Sequence, residues 1–120
     1  MINILDALDD IGADTEDALD RFMDDEEMYL KYVRDFPEEH SMEALVKAVE
    51  EKDYGQAEKS VHALKGIVNN LGFQPLADAT IDMLAELRDD NIEDALDAYE
   101  DVKKEYQKFC GVIKSWRSEQ

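Results

Sequence analysis

Between Tyr54 and Leu71 a single histidine, His62, stands between two lysines, Lys59 three residues before it and Lys65 three residues after it. On a helix, at about 100° per residue, these three side chains lie one above another on one face. Glu58 is the only acid of the segment, so its charge is inverted in a chain with thirty-one acidic and thirteen basic residues. Ala57, Val61, Leu64, Val68 and Leu71 recur at helical spacing and claim the opposite face, which turns His62 toward solvent. An imidazole in water titrates near neutrality, so at physiological pH much of it is unprotonated and nucleophilic. The pattern is a small cationic patch with a nucleophile at its centre. Gly66 and Asn69 fall on the same outward face. A mid-helix glycine costs roughly 1 kcal/mol relative to alanine, and no cap or turn requires one at Gly66. Its missing side chain makes sense where another surface must approach closely.

The elements that hold this segment read as helices. The chain has five Gly and two Pro, no strand-like alternation, and apolar residues three and four apart in nearly every segment. A first short helix is expected from about Ile2 to Asp10, with Ile4, Leu5 and Leu8 inward and an end near Gly12. Asp14 can cap the next, whose stripe is Ala18, Leu19, Phe22 and Met23. A third segment carries Tyr29, Tyr32, Val33 and Phe36, and a fourth Met42, Leu45, Val46 and Val49, with a break at Pro37 between them. Asp53 and Gln56 resemble a capping box opening the His62 helix, which should end at Gly72. Pro75 begins another helix with Leu76, Thr80, Met83, Leu84 and Leu87 inward, up to the Asp89-Asp90-Asn91 turn. In the last helix Ala95, Tyr99, Val102, Tyr106, Phe109, Ile113 and Trp116 alternate steps of four and three along one seam. Short connections favour antiparallel neighbours, so the expected fold is all-α: an up-down four-helix bundle with short N-terminal helices packed across it.

Composition narrows the function further. A net charge of −18 repels phosphate backbones and anionic lipid heads, which argues against nucleic acid and membrane partners. No window approaches the roughly 20 apolar residues of a spanning helix, and the first residues lack the pattern of a signal peptide. One cysteine, Cys110, cannot form an internal disulfide. Residues 1–120 are therefore expected to form one domain, soluble, cytoplasmic and monomeric, with the apolar seams used up by the bundle itself.

The run His62-Ala63-Leu64-Lys65-Gly66, followed by Asn70-Leu71-Gly72, resembles the motif of the histidine phosphotransfer family, in which His-x-Leu-Lys-Gly precedes a Leu-Gly helix end. The likeness extends from about Ile11 to Trp116: the order of helices, the Asp53-Tyr54 entry, the Gly72-Phe73 exit and the long final helix all fit. What the resemblance implies is a free-standing phosphorelay intermediate of two-component signal transduction. His62 would accept a phosphoryl group on a ring nitrogen, Lys65 would help neutralise it, and Gly66 would leave room for the partner; Asn69 and Lys59, on the same outward face of the helix, are read as further partner contacts. The partners implied are response-regulator receiver domains, including that of a hybrid sensor histidine kinase. No cofactor of the chain's own is implied, since the receiver brings the phosphoaspartate and its Mg²⁺. Ile67 and Val68 depart from the small residues often found there, and by helical count Val68 joins the core and Ile67 its margin.

Other readings of the same residues compete. Taken alone, Lys59 reads as a surface residue pairing with a nearby acid, Asn69 as a solvated polar residue, and His40, which matches no motif, as a surface or interhelical residue. A bundle that only docks receivers, as an adaptor without phosphotransfer, is the alternative function, yet it would have no need of His62, Lys65 and Gly66 together. A carboxylate-bridged di-metal enzyme needs Glu-x-x-His pairs, and Lys59 and Pro37 stand where those glutamates belong. A calcium loop fails because Asp94 occupies the place of the turn glycine after Asp89, Asn91 and Glu93. No Gly-rich nucleotide loop is visible, so the chain is expected to be a shuttle without autonomous kinase activity.

Overall fold

A computed structural model describes residues 1–120. The chain forms seven α-helices: α1 (Ile4–Asp10), α2 (Thr15–Arg21), α3 (Glu26–Asp35), α4 (Ser41–Glu50), α5 (Tyr54–Leu71), α6 (Gln74–Arg88) and α7 (Ile92–Arg117). A 3₁₀ turn, Phe36–Glu38, links α3 to α4 at the position of Pro37. The connections between α4, α5, α6 and α7 are too short for anything but antiparallel neighbours, and each of these helices packs along the next in an up-down bundle.

The lengths of the helices explain the rest of the architecture. α7 has 26 residues, about 39 Å at 1.5 Å per residue, and accounts for most of the 43 Å long axis. α6, with 15 residues, cannot cover it. The C-terminal overhang of α7 carries Phe109, Ile113 and Trp116, which would lie bare without α1, α3 and the 3₁₀ turn packed against it. Twenty-eight buried apolar residues, from Ile4 to Trp116, form one continuous core, so the N-terminal helices belong to the same unit as the bundle. At the junction Phe73 stacks on Phe109 with centroids 4.4 Å apart, and Phe36 meets Phe73 edge-on at 5.3 Å. The Arg34 guanidinium lies 4.9 Å over the Trp116 ring, and Arg117 pairs with Glu38 at 2.7 Å.

Most helix boundaries fall where the residue chemistry puts them. Asp14, Asp25 and Asp53 each cap a helix by accepting a backbone N–H three residues on. Gly72, at φ +77°, ends α5 in the left-handed conformation, and Pro75 lies in the first turn of α6. Differences have local causes. α1 starts at Ile4 rather than Ile2, because the Asn3 side chain accepts from the Asp6 N–H. Gln56 does not close the capping box; its side chain donates to Ser60 Oγ instead, at 3.3 Å. The inward stripes of α2 and α3 are narrower than the apolar spacing implies. Met23 lies beyond the end of α2 and Tyr32 on the flank of α3, exposed at 91% and 53%. In α4 Ala48 joins Met42 and Leu45 in the buried stripe, with Val46 and Val49 only half-buried.

Tyr29 couples the N-terminal helices to the bundle: its hydroxyl, fully buried, donates to the Leu71 carbonyl at 2.7 Å. Burial first, and then the charge of Asp9, push its ionisation well above the ordinary tyrosine value. Because the folded state holds this proton more tightly than the unfolded chain, the associated stability is present below pH 10 and falls as pH rises above it. Tyr29→Phe should lower the unfolding free energy by about 1–2 kcal/mol at pH 7 and make the decline above pH 10 shallower. Urea denaturation at pH 7 and through the alkaline range checks both parts.

Candidate functional site

α5 is oriented by its buried stripe and held at its C-terminus. Ala57, Val61, Leu64, Val68 and Leu71 are all buried, with Ser60 beside them satisfied by Gln56. A helix is rigid in register, so burying that stripe fixes His62 outward, and His62 is exposed. The last four carbonyls of a helix lack intrahelical partners; here each is met. Val68 O accepts from Phe73 N at 3.0 Å and Asn69 O from Gly72 N at 3.2 Å. The Arg21 guanidinium donates to Asn69 O at 2.6 Å and to Asn70 O at 3.3 Å, and Leu71 O takes the Tyr29 hydroxyl. Just beyond, Gly72 O accepts from Asp14 N at 2.8 Å. A β-carbon on Gly72 would come within 2.5 Å of the Asp14 carbonyl oxygen, so only glycine allows this approach.

Around His62 the structure brings together the residues singled out from the sequence. Lys59, Gly66 and Asn69 are exposed and Lys65 is half-buried, all on α5. Lys59 and Lys65 take part in none of the chain's ion pairs, so the pairing of Lys59 with a neighbouring acid does not occur. Ile67 sits at the margin of the core and Val68 within it. His40 lies far along the chain at the start of α4, exposed, its Nδ1 3.6 Å from Glu43. No three His, Cys, Asp or Glu side chains converge as a metal site.

Beside this face runs a groove of about 590 Å³, walled on one side by Tyr32, Asp35 and Phe36 and on the other by Ala63, Gly66 and Ile67 of α5. A shallower polar hollow, about 320 Å³, lies where Arg21, Asn69 and Gln74 meet Gly66. Gly66 lines both, and a β-carbon placed on it would meet no atom within 4 Å. Internal packing does not require the glycine; a side chain there would stand between groove and hollow. Tyr32, Phe36 and Arg21 were not readable as site residues from the sequence. Tyr32 and Phe36 belong to a stripe that looks like core, and Arg21 carries no motif, although its place in the last turn of α2 marks it as a potential carbonyl donor.

The Hpt domain family model matches residues 6–111. The chain therefore belongs to the Hpt domain family, and its role is histidine phosphotransfer in a two-component phosphorelay. Hpt domains interact with receiver domains and kinases in such relays. No curated protein and no solved structure matches this chain. No helix is long and apolar enough to cross a membrane.

With open space above Gly66 and an ordinary helical backbone, Gly66→Ala should raise stability by about 0.5–1 kcal/mol. Urea denaturation compares the two proteins; a loss of stability would show that the glycine serves the fold and not an approaching surface.

Proposed function

We propose that His62 is the phosphoacceptor, taking a phosphoryl group from the phosphoaspartate of one receiver domain and passing it to the aspartate of another. The observation that carries this reading is an exposed imidazole on a helix whose opposite stripe is buried, with Lys65 and the bare Gly66 one turn on and an apolar groove alongside. The lone pair of the unprotonated ring nitrogen attacks phosphorus. A P–N bond forms as the P–O bond to the aspartyl carboxylate breaks, the carboxylate leaves with the electron pair, and the other ring nitrogen keeps its hydrogen. Phosphoryl transfer of this kind depends on positioning and charge neutralisation. Lys65, and at longer reach Lys59, supply positive charge free of competing carboxylates. The Mg²⁺ that completes neutralisation belongs to the receiver, and this chain contributes no metal ligand of its own.

Gly66 and Asn69 form the floor against which the receiver's active site closes, and the groove beside them accepts its apolar surface. The donor in this reading is a response-regulator receiver or the receiver of a hybrid sensor histidine kinase. The cytoplasm is the compartment in which these components meet. The domain acts as a monomeric shuttle without kinase activity of its own.

The test is transfer from a panel of ³²P-labelled receiver domains. Wild type should acquire rapid, acid-labile label, and His62→Gln should acquire none while melting within about 0.5 kcal/mol of wild type, as expected for an exposed side chain. Gly66→Arg should still be labelled by phosphoramidate, a small donor, yet lose transfer from receivers. Receivers that bind without labelling would establish the adaptor function instead.

A further inference from the structure

A second stretch of the chain inverts the charge. Residues 103–117 hold five cations, Lys103, Lys104, Lys108, Lys114 and Arg117, against one acid, Glu105. On the solvent side of α7 the two signs are segregated: Glu93, Asp97 and Glu100 are exposed along its first half, and Lys104, Lys108 and Lys114 along its second. Lys104, Lys108, Gly111 and Ser115 follow one another at steps of four, three and four, so they form a single exposed stripe, about 16 Å long at 1.5 Å per residue.

The needs of the helix itself account for only part of this pattern. The macrodipole favours cations at a helix C-terminus, but its field fades within the last turn, where Lys114 and Arg117 stand. Lys104 and Lys108 lie more than two turns before that end. Lys103 pairs with Glu100 and Lys108 with Glu105, each at 3.1 Å, whereas Lys104 and Lys114 take part in no ion pair. A pair of this spacing on a helix surface is weak, so Lys108 remains available to a partner. Gly111 is explained by none of these. It sits mid-helix without a positive φ, where only proline costs a helix more, and a β-carbon there would meet no atom within 4 Å. The distance between two packed helices depends on the side chains at their contact, so a bare position lets a second helix come near.

The stripe's place and ends decide what suits it. α5 and α7 each pack on α6 but not on each other, which sets them diagonally across the bundle. The basic stripe therefore points away from the side that carries His62. A nucleic acid or a membrane surface extends beyond the stripe and would meet Glu93, Asp97 and Glu100 on the same face. The cations of the stripe are all lysines, point charges without the fork that grips phosphate. Three turns of a helix with carboxylates one turn apart match it in length, charge and approach. At physiological ionic strength, screening beyond about 8 Å lets these near charges outweigh the net charge of the chain.

We infer that the C-terminal half of α7 is a docking surface for an acidic helix of a partner protein, whose carboxylates pair with Lys104, Lys108 and Lys114 while Gly111 admits its backbone. The surface serves as an anchor, since a partner held there leaves the His62 face open to exchange receivers. It stands independently of the phosphoacceptor role of His62.

The probe is a labelled synthetic helical peptide with glutamates at i, i+4 and i+7 along one face, titrated by fluorescence anisotropy at about 0.15 M salt. Wild type should bind it, and Lys104→Gln with Lys108→Gln should weaken binding about tenfold or more. Gly111→Gln should weaken it similarly while melting at or above wild type, because glutamine is the better helix former. Lys47→Gln on α4, an equal loss of charge elsewhere, should leave binding unchanged. Transfer from labelled receivers should proceed as usual with the peptide bound. No binding by wild type, or binding that the lysine pair and Gly111→Gln leave unchanged, overturns the inference. Peptide that blocks transfer is seated on the α5 lysines and overturns it as well. A short DNA duplex or phosphatidylserine vesicles bound in preference to the peptide would assign the stripe to phosphates, and a dimer lost in the same variants would assign it to a second copy of the chain; either result overturns the acidic helix as its occupant.

Discussion

The structure depends on how the C-terminal end of α5 is satisfied. A helix end carries four unpaired carbonyls, and leaving any of them buried and unmet costs on the order of 1–3 kcal/mol. The turn into α6 serves two of them. The others are met by Arg21 of α2 and Tyr29 of α3, while the backbone of Asp14 binds the carbonyl just past the helix. The N-terminal helices are thereby tied to one point of the bundle, on a helix that is also fixed by its buried stripe. Held in rotation by that stripe and in translation by its capped end, α5 has no freedom to turn the His62 face inward.

The same ties explain why the site has walls. α3 must lie close enough to α5 for Tyr29 to reach Leu71 O, and this brings Tyr32 and Phe36 opposite Ala63 and Ile67. Between two helices joined at one end, a groove opens wherever the side chains are small, and Ala63 and Gly66 are the smallest on that side of α5. Arg21, drawn to the carbonyls of Asn69 and Asn70, fills the end of the polar hollow below Gly66. The residues that close the bundle therefore also form the rim of the face on which His62 stands.

The bundle itself was legible in the sequence because its helices obey two simple constraints, a 3.6-residue apolar period and chemically distinct ends. Gly72, Pro75, Asp14 and Asp53 mark boundaries through backbone chemistry that does not depend on tertiary context. The outward placement of His62, with Lys59, Lys65, Gly66 and Asn69 beside it, follows from the same count. The groove could not be read this way. Periodicity states which side of α3 is apolar, but how much of that side is covered depends on the distance to α5, a long-range quantity set by Tyr29 and Gly72. Tyr32 thus looked like core and is half open. Met23 follows the spacing of α2, yet the helix has already ended at Arg21, and the chain is left-handed at Met23 itself. Arg21 sits where a cation can cap its own helix, but a clamp on the carbonyls of another helix leaves no spacing signature.

Charge poses a last constraint. A protein of net charge −18 is an unfavourable place to add a phosphoryl group, whose oxygens carry further negative charge. In salt, however, exposed charges beyond about 8–10 Å are largely screened, so the near neighbours decide the local potential. On α5 those are Lys59 and Lys65, uncommitted to any carboxylate. Three arginines serve the scaffold instead: Arg21 on the α5 carbonyls, Arg34 over Trp116, Arg117 on Glu38. The acidic surface then disfavours polyanions at long range, while in the proposed role of His62 the two unpaired lysines of α5 would keep one small site where a phosphoryl group is tolerated. That division is what a carrier needs, since a site that held the group too strongly would not release it to the next aspartate.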